Sequence, residues 1–428
     1  MTVKIFPGKI FGEIQAIPSK SHLHRLLIYA ALADKETFIS CAETNAEDIV
    51  ATISCLSALG ARIVKKEDGF FVTPIDRDSL PRGVVTLPCC ESGSTLRFLL
   101  PVVAALGVHG AFEMKGRLAE RPLAPLDEQL QKHGVKLWRD DDGLLHCEGQ
   151  LSSGDFVLPG DVSSQYVTGL LMALPLLGDG SVLTVSTPVE SADYIEITKK
   201  TAREFGVKSV TINSPESVRY TISPCEFKSP ERVTAEGDWS NSAFWLCAGA
   251  MPGGDMTVSG LEKNSTQGDR EIVNILEKMG ARVTWEAKSV NIKEGTRTLP
   301  EIDGAAIPDL IPVLAAVAAV SEGTTIFKNA ARLRIKESDR LKTTADTLSK
   351  LGADIKETPD GLIVNGKKTL IGGEVNGHGD HRIPMMAAVA STACQNPVTV
   401  TGAQAVNKSY PAFWEDLRLL GKKTETEE

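Results

Sequence analysis

The sequence predicts an α/β protein of two domains, each built from three copies of one repeat whose most apolar helices are buried. Three observations carry this expectation. The chain has 428 residues, more than one hydrophobic core usually serves, so two domains of roughly 200 residues are expected. Glycines 60, 134, 206, 280, 352 and 421 each close a helical segment, at spacings of 74, 72, 74, 72 and 69 residues. Six nearly all-apolar stretches recur in phase with them, and a helix that is apolar on every side must be surrounded by protein.

The amphipathic helix, its glycine, a strand, a polar turn and a second strand appear at Leu56–Pro74 and Leu130–Gly149. They return around Phe205-Gly206-Val207, at Leu276–Gly295 and at Leu348–Gly366, and a sixth helix ends at Leu417–Gly421. Glycine suits these ends because a left-handed C-cap costs other residues more. The apolar helices are expected at Ser19–Ala33, Ser92–Leu106, Ser163–Leu177, Trp239–Met251, Pro308–Val320 and Asp380–Thr392. Short alternating strands follow them, as at 182–186, 256–260 and 325–329. The repeat thus reads buried helix, strand, amphipathic helix, strand, turn, strand.

The sixth repeat stops after its amphipathic helix. Residues 1–17 look like a strand pair around a glycine turn, and are expected to complete it. The domains would then be 18–233 and a discontinuous 1–17 plus 234–428, with crossings near Ile17–Pro18 and Val233–Ala235. The final KKTETEE is expected to fray.

Composition narrows the class. Hydrophobic residues at 42% and charged residues at 24% exclude a disordered or collagenous chain. The net charge of −9 disfavours a nucleic-acid partner. The longest apolar run, Leu310–Val320, is too short to cross a bilayer, and no charged-then-apolar leader precedes the first strand. No membrane association is expected, and the location should be cytoplasmic. The eight cysteines include no CxxC and the seven histidines no HxxxH, so reduced buried thiols are expected and no metal site.

Each apolar helix opens on polar residues: Ser19-Lys20-Ser21, Glu91-Ser92-Gly93-Ser94, Ser163-Ser164-Gln165, Asp238-Trp239-Ser240-Asn241, Asp309, and Asp380-His381-Arg382. These are either simple N-caps or, with the helix dipole, anion sites. Lys20, Arg25, Arg97 and Arg382 favour the second reading, since a cation at a helix start is unfavourable without an anion to pair with. Charge also gathers at Arg117–Pro122 and Arg332–Arg340, the latter either a solvated face or a ligand contact. A polyanionic small molecule held between two repeat domains is expected.

Seven motifs, in order, carry a resemblance: Ile17–Arg25 (IPSKSHLHR), Ser92–Arg97 (SGSTLR), Glu120–Pro122, Asp161–Gln165 (DVSSQ), Lys336–Arg340 (KESDR), Asp380–Arg382 (DHR) and Lys408–Pro411 (KSYP). Together they resemble the 3-phosphoshikimate 1-carboxyvinyltransferase (5-enolpyruvylshikimate-3-phosphate synthase) family over essentially the whole chain. The resemblance implies the two-domain enolpyruvyl transferase fold, an inside-out α/β barrel of six βαβαββ units with helices buried. It implies transfer of enolpyruvyl from phosphoenolpyruvate to the 5-hydroxyl of shikimate 3-phosphate through a tetrahedral ketal, with phosphate released. No cofactor or metal is implied, and a monomer is expected.

By the same resemblance, Lys20, Gly93, Arg121, Gln165, Arg340, Arg382 and Lys408 correspond to phosphoenolpyruvate contacts. Lys20, Ser21, Arg25, Ser163, Ser164, Gln165, Ser191, Tyr194, Asp309 and Lys336 correspond to shikimate 3-phosphate contacts. Asp309 is the expected base for the 5-hydroxyl, and Glu337 with Lys20 the expected pair for proton transfer at the methylene. An ion pair with Lys336 or Arg340 is the alternative for Glu337. His381 is given no proton-transfer role. Glu91 stands where many members have Asn, Ser94 replaces Thr, and Arg332 replaces an Asn of some members, so no contact is transferred to Glu91 or Arg332. The sister family that uses a UDP-sugar acceptor carries a reactive Cys in the loop matching 110–121, and here that loop (GAFEMKGRLAER) has none. A non-catalytic scaffold would have lost acid–base groups, whereas Lys20, Asp309, Glu337 and Lys408 are all present.

Overall fold

A computed structural model describes residues 1–295 and 300–427. The six marker glycines all take positive φ, from 76° to 108°. At each, the next residue's N–H returns to a carbonyl five residues back: Ala61 to Leu56, Val135 to Leu130, Val207 to Ala202, Ala281 to Leu276, Ala353 to Leu348 and Lys422 to Leu417, at 2.9–3.1 Å. This closure needs a left-handed residue before it, so one backbone requirement accounts for all six positions.

The described residues form six four-stranded sheets. One shows the plan. Val84–Cys90 pairs parallel with His109–Met114 across the helix Gly93–Leu106, and Leu145–Glu148 and Lys136–Arg139 add antiparallel. The residue pattern alone starts the repeat at the helix; the structure adds a strand before it, as the βαβαββ resemblance implies. Strands bury alternate residues, as along Ser181–Ser186, and the apolar helices carry the core. Helices Gly93–Leu106 and Ser164–Ala173 touch closely: a Cβ on Gly169 would lie 2.2 Å from the Arg97 carbonyl oxygen, so only glycine fits there.

Two strands arrive out of sequence order. Phe11–Gln15 pairs parallel with Asp255–Ser259, and Arg232–Thr234 pairs parallel with Thr37–Ser40. Each fills the first-strand place of a repeat that lacks its own. The expected N-terminal strand pair is therefore corrected. Thr2–Ile5 alone joins the sixth repeat, between Val398–Thr401 and Thr424–Glu427, while Phe11–Gln15 serves a different sheet.

The frayed tail is corrected as well, apart from Glu428, which lies outside the described residues. Thr424–Glu427 is the outer strand beside Thr2–Ile5, with Val3 opposite Thr426. The preceding Lys422 anchors it: its buried ammonium donates to the carbonyls of Phe6 (2.9 Å), Gly8 (2.7 Å) and Ser391 (3.4 Å). Burial lowers its pKa to about 8.

The chain divides into two compact units. The first comprises Met1–Ser19, Thr44–Ala46 and Glu236–Glu428, and the second Lys20–Glu43 and Glu47–Ala235. In the first, Ser19 N–H donates to the Glu236 carbonyl and Asp238 N–H to the Ile17 carbonyl, tying its two strand-like segments together. No helix among the described residues is long and apolar enough to cross a membrane.

Deleting residues 424–428 removes a hydrogen-bonded edge strand, a loss on the order of 2 kcal/mol. A melting temperature about 4–8 °C lower is expected by calorimetry; an unchanged value would show that the strand contributes nothing.

Candidate active site

In the second unit, three buried helices bring polar starts to the site. Lys20, first residue of the helix Lys20–Ala31, places its Nζ 2.7 Å from Asp48 Oδ2, with side chains 18% and 7% exposed. One turn on, His24 Nδ1 meets Thr52 Oγ1 at 2.7 Å, Thr52 meets Thr95 at 2.6 Å, and Thr95 donates to Ser92 Oγ at 2.7 Å. These bonds tie together the helices that begin at Lys20, Glu47 and Gly93. Burial, against the opposing pull of Asp48 and with lesser help from Lys20 and Arg25, pushes the His24 pKa down to about 3, so the ring is a neutral link.

Arg25 is buried, and among the described residues its hydrogen bonds go to neutral oxygens. Nε donates to Thr198 Oγ1 (2.7 Å), Nη2 to the Tyr194 carbonyl (2.9 Å) and Thr168 Oγ1 (3.3 Å), and Nη1 to the Ser21 carbonyl. Burial lowers its pKa to about 10. A buried guanidinium without a carboxylate partner is costly, and an incoming anion relieves that cost. Tyr194 and Thr198 lie on the helix Ala192–Glu204, entered through Ser191 at φ 54°. Ser191 is buried, and its left-handed backbone is a strained conformation for a serine.

A second set surrounds Gly93. Arg97 Nη1 donates to Gln165 Oε1 (2.9 Å), Arg97 Nη2 to the Pro122 carbonyl (3.1 Å), and Gln165 Nε2 to Ser94 Oγ (3.1 Å). Ser163 caps the helix that carries Ser164 and Gln165. A Cβ on Gly93 would lie 2.7 Å from Arg97 Nη1 and 2.8 Å from Arg121 Nη1, so two guanidinium groups converge over this glycine. Glu91 turns its carboxylate against Gly116, where a Cβ would meet Oε1 at 2.2 Å, in the loop that leads to Arg117 and Arg121.

In the first unit the site is a charge network. Arg340, 2% exposed, donates from Nη1 to Asp309 Oδ1 (2.6 Å), from Nη2 to Glu337 Oε2 (2.6 Å) and from Nε to Asp380 Oδ2 (2.7 Å). Ser338 Oγ donates to the same Asp380 oxygen at 3.0 Å. Arg382 Nη2 lies 3.1 Å from Asp309 Oδ2 and donates to Ser240 Oγ at 2.6 Å. Its Nε and Nη1 are buried without a hydrogen-bond partner among the described residues. Lys336 Nζ stands 4.0 Å from Asp309 Oδ1. Burial lowers the Lys336 pKa to about 8, against the pull of Asp309. Burial would raise the Asp309 carboxyl, but Arg382, Lys336 and Arg340 outweigh it and hold it well below the usual carboxylate range.

Most expected side chains therefore fall into named groups. Ser21, Arg25, Ser191 and Tyr194 gather in the second unit, as do Gly93, Arg121 and Gln165. Asp309, Lys336, Glu337, Arg340 and Arg382 gather in the first. Lys408 is buried at the end of the turn Ala403–Lys408, and the adjacent Ser409 bonds Asn241, next to Ser240. The ion pair weighed as the alternative for Glu337 is present, to Arg340. His381 Nδ1 is 3.8 Å from Asp380 Oδ1.

Sequence reasoning missed Asp48, Thr198 and Asp269. Asp48, in the acidic first turn of an amphipathic helix, reads as a dipole partner. Thr198 carries no signal at all. Asp269 is buried beside Ser240; burial, then the charge of Asp309, raises its pKa to about 7. Its only sequence trace is the turn Gln267-Gly268-Asp269.

Comparison with known proteins agrees with this geometry. A family model described as EPSP synthase (3-phosphoshikimate 1-carboxyvinyltransferase) matches residues 6–417. The chain is 42% identical over 423 residues to a 3-phosphoshikimate 1-carboxyvinyltransferase of Clostridium perfringens (strain 13), covering 98% of each. It is 40% identical to the protein of that name in Clostridium beijerinckii, covering 98% of this chain and 97% of the other. Among solved structures, an EPSP synthase from Acinetobacter baumannii superimposes with a TM-score of 0.79 at 25% identity, covering 99% of this chain and all of the other. The enolpyruvyl transferase NikO from Streptomyces tendae shares the fold, with a TM-score of 0.79 at 19% identity, covering 99% of this chain and 98% of the other.

The network around Arg340 sets a stability test. Asp380→Asn takes one charge from a fully buried pair and is expected to cost about 3 kcal/mol. Glu337→Gln, at a carboxylate 14% exposed, leaves Arg340 its two other carboxylates and is expected to cost less, about 1–2 kcal/mol. Urea unfolding midpoints of the two variants should separate accordingly; equal midpoints would show that Asp380 does not anchor the cluster.

Proposed function

This chain belongs to the EPSP synthase (3-phosphoshikimate 1-carboxyvinyltransferase) family, and from that premise we infer its reaction and assign its residues. It transfers the carboxyvinyl group of phosphoenolpyruvate to the 5-hydroxyl of shikimate 3-phosphate and releases phosphate, a step of aromatic amino acid biosynthesis by the shikimate pathway. The observation that carries the residue assignment is the surplus of buried cationic donors: Arg25 meets only neutral oxygens, and two nitrogens of Arg382 have no partner among the described residues. The substrates bring two phosphates and two carboxylates, the anions such donors require.

Arg25, with Ser21, Ser163, Ser164, Ser191, Tyr194 and Lys336, is proposed to hold shikimate 3-phosphate. Arg121, Arg340, Arg382 and Lys408, with Lys20, Gly93 and Gln165, are proposed to hold phosphoenolpyruvate. Asp309 is the proposed base for the 5-hydroxyl. Its charge is held by Arg382, Lys336 and Arg340, an arrangement that makes it a weak base. A bound anion that draws Arg382 and Arg340 toward itself loosens that hold and raises its proton affinity. Carbon–oxygen bond formation at the enol carbon then accompanies protonation of the methylene, assigned to Glu337 with Lys20. The ketal collapses as phosphate leaves and a methyl proton returns to the protein. The cations stabilise the charge that gathers on the departing phosphate. We further propose that the enzyme acts as a cytoplasmic monomer.

Phosphate release with shikimate 3-phosphate and phosphoenolpyruvate tests the reaction, with a UDP-sugar as the control acceptor. Turnover only with the UDP-sugar would overturn the reading. Glu337→Gln is expected to bind shikimate 3-phosphate nearly as the parent does while losing at least about a hundredfold in kcat. Retained turnover with weakened binding would leave Glu337 as an ion-pair partner of Arg340 alone.

Lys336 gives a pH test. In the free protein it is charged below about pH 8 and neutral above. A dianionic phosphate ester favours the charged form and raises its pKa on binding. Shikimate 3-phosphate affinity should thus change little near pH 7, where the ester is still dianionic, and fall by up to about tenfold per pH unit above pH 8. Calorimetry in buffers of different ionisation heat should show proton uptake there, and Lys336→Gln should flatten the profile.

A further inference from the structure

A cavity of about 370 Å³ opens in the second unit, away from the helix starts described above. Its size is within the roughly 300–1,000 Å³ typical of small-molecule sites. The walls are apolar, from Tyr29, Leu171, Pro175, Ala202, Val207 and Ile222. Cations stand along the same cavity at Lys199, Arg203 and Lys208. Lys199 is paired with Glu196 at 2.8 Å. Arg203 and Lys208 are exposed and make no ion pair among the described residues. The hydroxyl of Tyr29 is buried with no hydrogen-bond partner among the described residues. An apolar chamber with an unpartnered hydroxyl and two unpaired cations fits an amphipathic anion better than water or a bare phosphate.

The cavity approaches the proposed substrate site through Thr198. Thr198 lines it and also accepts the hydrogen bond from Arg25 Nε at 2.7 Å. Thr198 Oγ1 lies 2.9 Å from that of Thr168 and donates to the Tyr194 carbonyl at 3.0 Å, so it holds the helix Ala192–Glu204 against Arg25. Anything seated against that helix bears on the Arg25 guanidinium.

We propose that this cavity binds a small aryl carboxylate, its anionic end on Arg203 and Lys208 and its ring among the apolar walls, and that its occupancy changes the affinity for shikimate 3-phosphate through Thr198 and Arg25. The coupling rests on the assignment of Arg25 to shikimate 3-phosphate; the binding site itself does not. By linkage, shikimate 3-phosphate must change the affinity for the aryl carboxylate by the same factor.

The test uses the full chain and 3-(4-hydroxyphenyl)propionate in isothermal calorimetry. One-to-one binding is expected, weakened at least about tenfold in Arg203→Ala/Lys208→Ala and abolished by Ala202→Leu, which fills the cavity. Arg203 and Lys208 are exposed, so the double variant keeps the fold. Replacing the carboxylate by an amide in the probe should weaken binding by a similar factor. A saturating probe is expected to shift the shikimate 3-phosphate dissociation constant at least about threefold. Absence of saturable binding, unchanged binding in the double variant, or displacement of the probe by phosphoenolpyruvate would overturn the site. Probe binding with no shift in shikimate 3-phosphate affinity would overturn the coupling. Probe binding by a chain that never binds shikimate 3-phosphate would overturn the functional reading and the coupling together, and leave the site standing.

Discussion

Arg340 is buried, and a buried guanidinium has to be neutralised where it stands. Asp309, Glu337 and Asp380 do this from three separate chain segments, each within 2.7 Å of it. Asp380 also accepts from the Arg382 backbone N–H at 3.1 Å and so sets the start of the helix Arg382–Ala390. One charge therefore fixes the mutual placement of the proposed base, the proposed acid and the second arginine. Among the described residues, three cations, Lys336, Arg340 and Arg382, face the carboxylates of Asp309, Glu337 and Asp380, with Asp269 close by.

That pairing constrains the chemistry. An anion that enters such a cluster competes for hydrogen bonds now made to protein carboxylates. Asp380 is fully buried, whereas the Asp309 side chain is 18% exposed, so the hold on Asp309 is easier to exchange than that on Asp380. Binding and activation of the proposed base are then one event: the substrate takes over cations that had kept Asp309 weakly basic. The second unit meets its burial cost differently. Lys20 has a carboxylate in Asp48, but among the described residues Arg25 bonds hydroxyls and carbonyls alone, a standing demand for an anion.

The repeat makes both arrangements possible. Because the apolar helices are covered on all sides, their starts are the places where polar side chains and unpaired backbone N–H groups can gather without disturbing the core. Six glycine closures end the amphipathic helices in the same way; the first five return the chain to a hairpin and the sixth to the edge strand Thr424–Glu427. The strands Phe11–Gln15 and Arg232–Thr234 complete sheets whose other three strands lie far along the chain. Each sheet thus reaches four strands even where the local repeat provides three.

Periodicity and local composition determined much of this from the sequence. The helix-ending glycines, the buried helices and the cations at their starts all follow from patterns a few residues to one repeat long, and their motif order carried the family resemblance. The tertiary structure decided what depends on partners distant in sequence. Arg25 and Thr198 are separated by 173 residues, and Arg340 and Asp380 by 40, so no local pattern marks Thr198 or the buried state of Arg340. The N-terminal strands look like a pair because a glycine turn joins them, yet vacant places in two different sheets claim one each. The charged tail looks like solvent-facing chain. It becomes a strand because Thr2–Ile5 offers an open edge and Lys422 finds three carbonyls to hold, and both facts exist only once the chain is folded.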